Sequence, residues 1–226
     1  MQAQNPVHRG LTREWVVDAA LAIADRDGID AVTLRRLAET LGVTPMALYH
    51  HIRDKGHLLD LMASRLLGDL DVSPPDDDTP WHESLSAIGQ RFLALVEAHP
   101  AAPFLLSRPF DPAAARDVSA ALLTILGQAG FASADAVRLL QVLTGMLLGP
   151  AIHRATYAAA SSVTRRPEEV EASADQTSDW ISAADADRLT LDLWVGGVEA
   201  LAGRRTEANP KPRSRTGDRR RCRCRA

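Results

Sequence analysis

Several large classes of protein are excluded by what this chain lacks. It has only two cysteines, Cys222 and Cys224, among 226 residues. Two thiols cannot make a disulfide framework, and a lone C-x-C pair falls short of the four ligands of a structural zinc site, so no metal is expected. No run of about eighteen apolar residues occurs, and the first residues lack the basic-then-apolar pattern of a secretory leader. A cytoplasmic protein without a membrane partner is the expectation. Catalytic signatures are missing too: there is no Gly-x-Ser-x-Gly elbow, no His-Glu-x-x-His, no phosphate-cradling glycine loop and no Cys/His cluster. A non-enzyme without a cofactor follows as an expectation. Period-two alternation of apolar and polar residues is absent as well, which argues against strands.

Helical periodicity is present almost throughout, and 46% hydrophobic residues suffice for a buried core, so the fold class expected is all-α. The net charge of −3 conceals an asymmetry. Residues 204–226 hold ten Lys/Arg against Glu207 and Asp218, which leaves the preceding 203 residues at −11. Bulk charge therefore does not draw the folded part to DNA, and placement of a few groups would have to. The basic tail has too little apolar content to fold and reads either as a salt-sensitive phosphate contact or as a solvated extension.

Local signals divide the chain. A first helix runs from the cap Thr12 to a stop at Gly28, a second from the cap Thr33 to Gly42, and a third from the cap Thr44 with Pro45 at its first position. Val43 and Leu48 occupy the positions of a hydrophobic staple. Asp54 caps a fourth helix reaching about Leu70. Three prolines and four aspartates in residues 71–80 then break the pattern and read as a hinge. Beyond it come a helix ending near His99, another starting at Asp111-Pro112, a long one from Ser133 to about Ala159 that is apolar on most sides, and a last one over 185–201. The organisation expected is a helix-turn-helix head (1–54), a helical regulatory and dimerisation body (55–203) and a basic disordered tail (204–226).

The three-residue Gly42-Val43-Thr44 turn sets the third helix across the second, the arrangement that presents a recognition helix to the major groove. With Leu48 and Ile52 assigned to the core, Thr44, Met46, Ala47, Tyr49, His50 and His51 remain for the outward face. Thr33 and Arg35 at the start of the second helix, and Lys55 at the start of the fourth, flank it as donors to phosphate. Double-stranded DNA is the partner these residues imply.

Residues 33–62, TLRRLAETLGVTPMALYHHIRDKGHLLDLM, resemble the DNA-binding domain of the tetracycline-repressor family in the spacing of cap, glycine stop, Leu48-Tyr49, His51 and Lys55. The resemblance implies DNA contact by Arg35, Thr44, Met46, Ala47, Tyr49, His50, His51 and Lys55, with Thr33, Tyr49 and Lys55 favouring phosphates. Pro45-Met46-Ala47 departs from the Gln-Pro-Thr of the tetracycline repressor at the opening of the recognition helix, so the operator sequence does not carry over. Residues 107–135 and the segment GMLLGPAIHR (145–154) are similar to the family's regulatory domain. That similarity implies a ligand-responsive repressor, a homodimer built on a four-helix bundle, and a small-molecule effector.

Phe104 and Ala120 stand where the tetracycline repressor uses His and Gln to hold a metal-chelated drug, which argues against that ligand here. A small apolar or amphipathic effector is expected instead. Phe92, Phe104, Met146 and Trp194 are candidates for the apolar lining, and Ser107, Arg108, His153 and Tyr157 for polar handles. His153 and Tyr157, an i,i+4 pair, could equally just share a helix face. A rival reading keeps the head and lets the body bind a protein without any small molecule; a pocket inside the body discriminates the two.

Overall fold

The computed structural model describes residues 10–74, 76, 78–164 and 183–208, with nine α-helices and no strand among them. Each short helix of the head begins where a side chain satisfies an orphan N–H. Thr12 accepts from the Trp15 N–H at 3.2 Å to start α1 (Arg13–Asp27). Thr33 accepts from Arg36 at 3.2 Å to start α2 (Leu34–Leu41). Thr44 accepts from Ala47 at 3.4 Å to start α3 (Pro45–Leu48), and Asp54 accepts from His57 at 2.8 Å to start α4 (Lys55–Gly68). α1 and α2 stop at Gly28 (φ 86°) and Gly42 (φ 67°), left-handed positions that a side chain would strain.

The body follows with α5 (Trp81–Ala98), α6 (Ala102–Ser107), α7 (Arg116–Gln128), α8 (Ser133–Thr164) and α9 (Ala183–Ala208). Two apolar cores hold it together. One joins Val16, Ile23, Leu37 and Leu48 of the head through Leu58 and Met62 of α4 to Leu105 of α6 and Leu148 of α8. The other gathers Leu85, Ile88, Leu126, Leu147, Leu191 and Trp194, and Phe92 packs against both. Because one core crosses from head to body through α4, the head has no separate hydrophobic interior.

Polar struts reinforce that junction. Arg65 of α4 reaches Asp18 of α1 at 3.1 Å and also pairs with Asp69, and these carboxylates raise its pKa further. Asp25 of α1 lies 2.8 Å from His99 Nδ1 and accepts the Ala101 N–H at 3.1 Å, tying α1 to the α5–α6 turn. Arg108 donates to Asp60 at 2.8 Å, tying the end of α6 to α4. Farther away, Arg154 and Asp187 form a two-pronged pair between α8 and α9, at 2.9 and 2.6 Å.

Several expectations need correction. The segment read as a hinge is pinned at its start, since Arg91 of α5 donates to the carbonyls of Asp71 (3.1 Å) and Ser73 (2.6 Å). The Asp71 carboxyl is held below the usual carboxylate range, chiefly by the Ser73 N–H. α6 was not foreseen, because six residues give too short a span for a period to register. Pro112–Ala115 is a 3₁₀ turn preceding α7. α8 is not buried nearly all round: Ala136, Leu143, Leu147, Leu148 and Ala151 face the core, whereas Val137 and Val142 are about half exposed. Apolar composition shows that a helix has faces to bury but not that its own chain covers them. The segment Ser133–Arg154 is long and apolar enough to cross a bilayer, yet it packs on α6, α7 and α9. Finally, α9 extends to Ala208, past the expected start of the tail, and residues 209–226 lie outside the described residues.

Candidate functional site

The residues expected at DNA lie on α2, on α3 with the turn that follows it, and at the start of α4, with α3 packed on α2. The short helix α3 leans on α2 with Leu48 wholly buried as its anchor. Anchoring on one side turns the others outward: Met46 is 71% and Tyr49 53% exposed. Thr44 and His50 are exposed as well, while Ala47 and His51 are half-buried. The chain continues through a turn at 49–51 to Ile52, buried again, so the outward face is only about one and a half turns long.

Exposed cations lie on the elements before and after α3. Arg35 on α2 is 87% exposed at its side chain and pairs with Glu39 one turn on, at 2.9 Å. An exposed i,i+4 pair of this kind contributes only a few tenths of a kcal/mol, so a phosphate can displace Glu39. Lys55 is exposed at the first turn of α4. Thr33 and Thr44 spend their oxygens as helix caps, which leaves each hydroxyl proton to donate outward.

Two residues in the same place were missed in the sequence. Arg53, exposed, lies between the 49–51 turn and Lys55, and its N–H donates to His57 Nδ1 at 3.1 Å. Arg13 at the start of α1 donates from Nε to the His51 carbonyl at 3.3 Å, joining α1 to the end of the recognition turn. Arg53 could have been found from its position two residues before Lys55; the link from Arg13, thirty-eight positions from His51, has no local signal.

The second site lies in the body. A partly open apolar cavity of about 160 Å³ sits between α4, α5, α6, α7 and α8, with Leu67, Phe92, Leu106, Val118, Leu122 and Leu147 among its walls. Of the eight residues expected at a ligand, Phe92 lines it. Phe104, Ser107 and Arg108 do not: Phe104 is half-buried on α6, Ser107 donates to the Phe104 carbonyl at 3.2 Å, and Arg108 is engaged with Asp60. Met146 and Trp194 are packed in the second core, where Trp194 is 5% exposed. His153 is exposed on α8, and the side chain of Tyr157 lies outside the described residues. Thr144 and Ser119, which the sequence did not single out, supply the polar atoms of the lining. No group of three or more His, Cys, Asp or Glu is arranged for a metal among the described residues.

A helix-turn-helix head joined through one shared helix to a helical body with an internal apolar cavity defines the class: helix-turn-helix regulators with a helical sensor domain. Residues 16–62 match the bacterial regulatory proteins of the tetR family, and residues 73–191 match the tetracyclin repressor-like C-terminal domain. The chain belongs to the tetracycline-repressor family.

Among its relatives is the HTH-type transcriptional repressor DrrR1 of Streptomyces coeruleorubidus, 34% identical over 145 residues, which are 62% of this chain but only 53% of that protein. A TetR variant from Acinetobacter baumannii AYE in complex with minocycline is similar in structure, with a TM-score of 0.65 and 25% identity over 85% of this chain and 98% of that one. BioQ with its double-stranded DNA operator is similar too, with a TM-score of 0.61 and 26% identity over 84% of this chain and 99% of that one.

Proposed function

We propose that this chain is a transcriptional repressor that binds a near-palindromic operator as a homodimer and is released by a small apolar or amphipathic effector. One observation carries the reading: α4 touches both sites. Lys55 at its first turn stands beside the recognition face, and Leu67 at its far end lines the cavity. At about 1.5 Å per residue, a helix of 14 residues spans roughly 20 Å, so a shift at one end reaches the other as a rigid lever.

The roles follow from position. Tyr49, Thr33 and Lys55 contact phosphates and set register, while Arg35, Thr44, Met46, Ala47, His50 and His51 approach base edges and neighbouring backbone. The head is proposed as residues 1–54 and the body as 55–203, with α4 the shared wall. Homodimerisation uses the open face of α8 and α9, where Val142, Leu189 and Leu193 are exposed beside Gly145, Gly149 and Gly196. Exposed apolar side chains beside glycines let a second copy approach closely, and two such helices from each copy make a four-helix bundle. Such a protein is at work in the cytoplasm.

An effector that fits the non-binding conformer better pulls the equilibrium toward it, and typically about 1–3 kcal/mol of coupling suffices for regulation. Apolar walls favour a ligand without formal charge. Relatives whose names include repression or an operator support the reading. Footprinting the purified protein on the DNA flanking its own coding sequence tests it. Protection of two half-sites on one face of the duplex is expected; with folded dimeric protein, absence of protection from that DNA counts against regulation of a neighbouring gene.

A further inference from the structure

The cavity walls discriminate between classes of effector more finely than their apolar character alone. Among the lining residues none is charged, and only Ser119 of α7 and Thr144 of α8 carry a side-chain polar atom. Those two residues also line a more open groove of about 390 Å³ on the surface between α7 and α8, together with Leu140, Gln141, Leu123 and Val137. Cavity and groove therefore share the wall formed by Ser119, Leu140 and Thr144. Both side-chain polar atoms of the cavity thus belong to the wall shared with the groove, and the other lining side chains are hydrocarbon or aromatic.

The two hydroxyls are not equivalent. Thr144 Oγ1 donates its proton to the Leu140 carbonyl at 2.9 Å, so toward a ligand it can only accept. Ser119 has no side-chain hydrogen bond among the described residues, so its hydroxyl is available as a donor. One acceptor and one donor on the same shared wall match a group that both donates and accepts, and a hydroxyl does so with a single oxygen. A carboxylate would only accept, would face the Thr144 oxygen without a proton to share, and would lose its hydration against walls holding no cation. An ammonium would find one acceptor and no counter-charge.

We propose that the cavity selects an uncharged, largely apolar molecule bearing a hydroxyl group, held with that oxygen between Ser119 and Thr144 where the cavity meets the α7–α8 groove. The inference rests on the reading of the cavity as the effector site. The ligand O–H donates to Thr144 Oγ1 and the ligand oxygen accepts from the Ser119 hydroxyl. By volume the cavity holds about one ring, as cavities of this size in other proteins do, and its open side leaves room for a second fused ring or a substituent toward the groove.

Three probes of one ring frame test this on the full chain: 2-naphthol, naphthalene and 2-naphthoate, with binding followed by the fluorescence of the probe. In the Ser119→Ala/Thr144→Val double variant, the ratio of naphthol to naphthalene affinity should fall roughly three- to tenfold from its wild-type value, the size of one net hydrogen bond. Naphthalene affinity itself should change less than about twofold on the same scale, and 2-naphthoate should bind the wild type most weakly of the three. An unchanged ratio, or tightest binding by 2-naphthoate, overturns the proposal. Leu122→Trp, with Val118→Phe as a smaller filling should the first not fold, separates this failure from that of the underlying reading. Naphthalene binding that filling abolishes, together with an unchanged ratio, leaves the cavity as a ligand site and sinks only the hydroxyl preference. Naphthalene binding that survives filling, or no binding of any probe to the wild type, sinks both.

Discussion

Tyr49 and Leu48 are neighbours with opposite fates: Leu48 is wholly buried and anchors α3, and Tyr49 is left half in solvent. Removing the Tyr49 ring therefore costs the fold little and the interface much. Tyr49→Ala should weaken operator binding at least tenfold with the far-UV circular dichroism unchanged; retained affinity in an anisotropy titration would show that the recognition face lies elsewhere. Arg35 offers a finer test because Glu39 holds it. Glu39→Gln should strengthen DNA binding by about twofold, the size of that exposed pair, and Arg35→Ala should lower the slope of log affinity against log salt by about one. Opposite signs in the two titrations would contradict a phosphate role for Arg35. The helix boundaries and the outward position of these side chains could be read in the sequence because caps, glycine stops and a buried Leu are local signals. The ligand lining was hardly legible: whether Phe92 or Phe104 meets a cavity depends on helices brought together from distant parts of the chain, and only Phe92 does.

At the level of elements, the approach of α5 to α9 depends on Gly89. A Cβ there would lie 2.4 Å from Leu191 Cδ1 and 3.2 Å from its Cγ, too close for the tip of the side chain alone to yield. Gly89→Ala should destabilise the protein by about 1–3 kcal/mol, read from urea unfolding, through overpacking. The same helix α9 separates core from open face within two residues. Leu193 is 64% exposed and Trp194 is 5% exposed. Leu193→Asp should give a folded monomer by light scattering; a dimer would place the interface on another face. Trp194→Asp should instead unfold the body, since it puts a charge into the second core. The sequence showed one apolar row from Leu191 to Leu201 and placed Trp194 among the ligand candidates, because a helix with two apolar faces blurs the period that tells them apart. Helix existence was well read for the same reason that face assignment was not: periodicity gives the element, and neighbours decide which side is covered.

Across the whole molecule, residues 1–203 carry an excess of negative charge, so the cations proposed to meet DNA would act by position, not by bulk attraction. Their spacing on DNA depends on how firmly the head is held on the body. Asp25 makes two polar ties across the junction, holding both His99 and the Ala101 N–H. Asp25→Ala should lower stability by about 1–2 kcal/mol, because it leaves that N–H without its carboxylate. Specific affinity should fall with it, while binding to unrelated DNA changes little; equal losses on both would show that the strut does not set head spacing. The end of α4 was legible from the proline-aspartate break at 71–80, whereas the continuity of one core through α4 was not, since it joins Leu58 and Met62 to Leu105, far along the chain.

Selection of bound sequences from a pool of random duplexes tests the central claim most directly, since it needs no knowledge of the target gene. A dimeric helix-turn-helix regulator should enrich an inverted repeat whose half-site centres are separated by about 10 base pairs or a multiple of one turn, with two chains bound per duplex. Enrichment of a single asymmetric half-site by one chain, or no enrichment by folded protein, would contradict it.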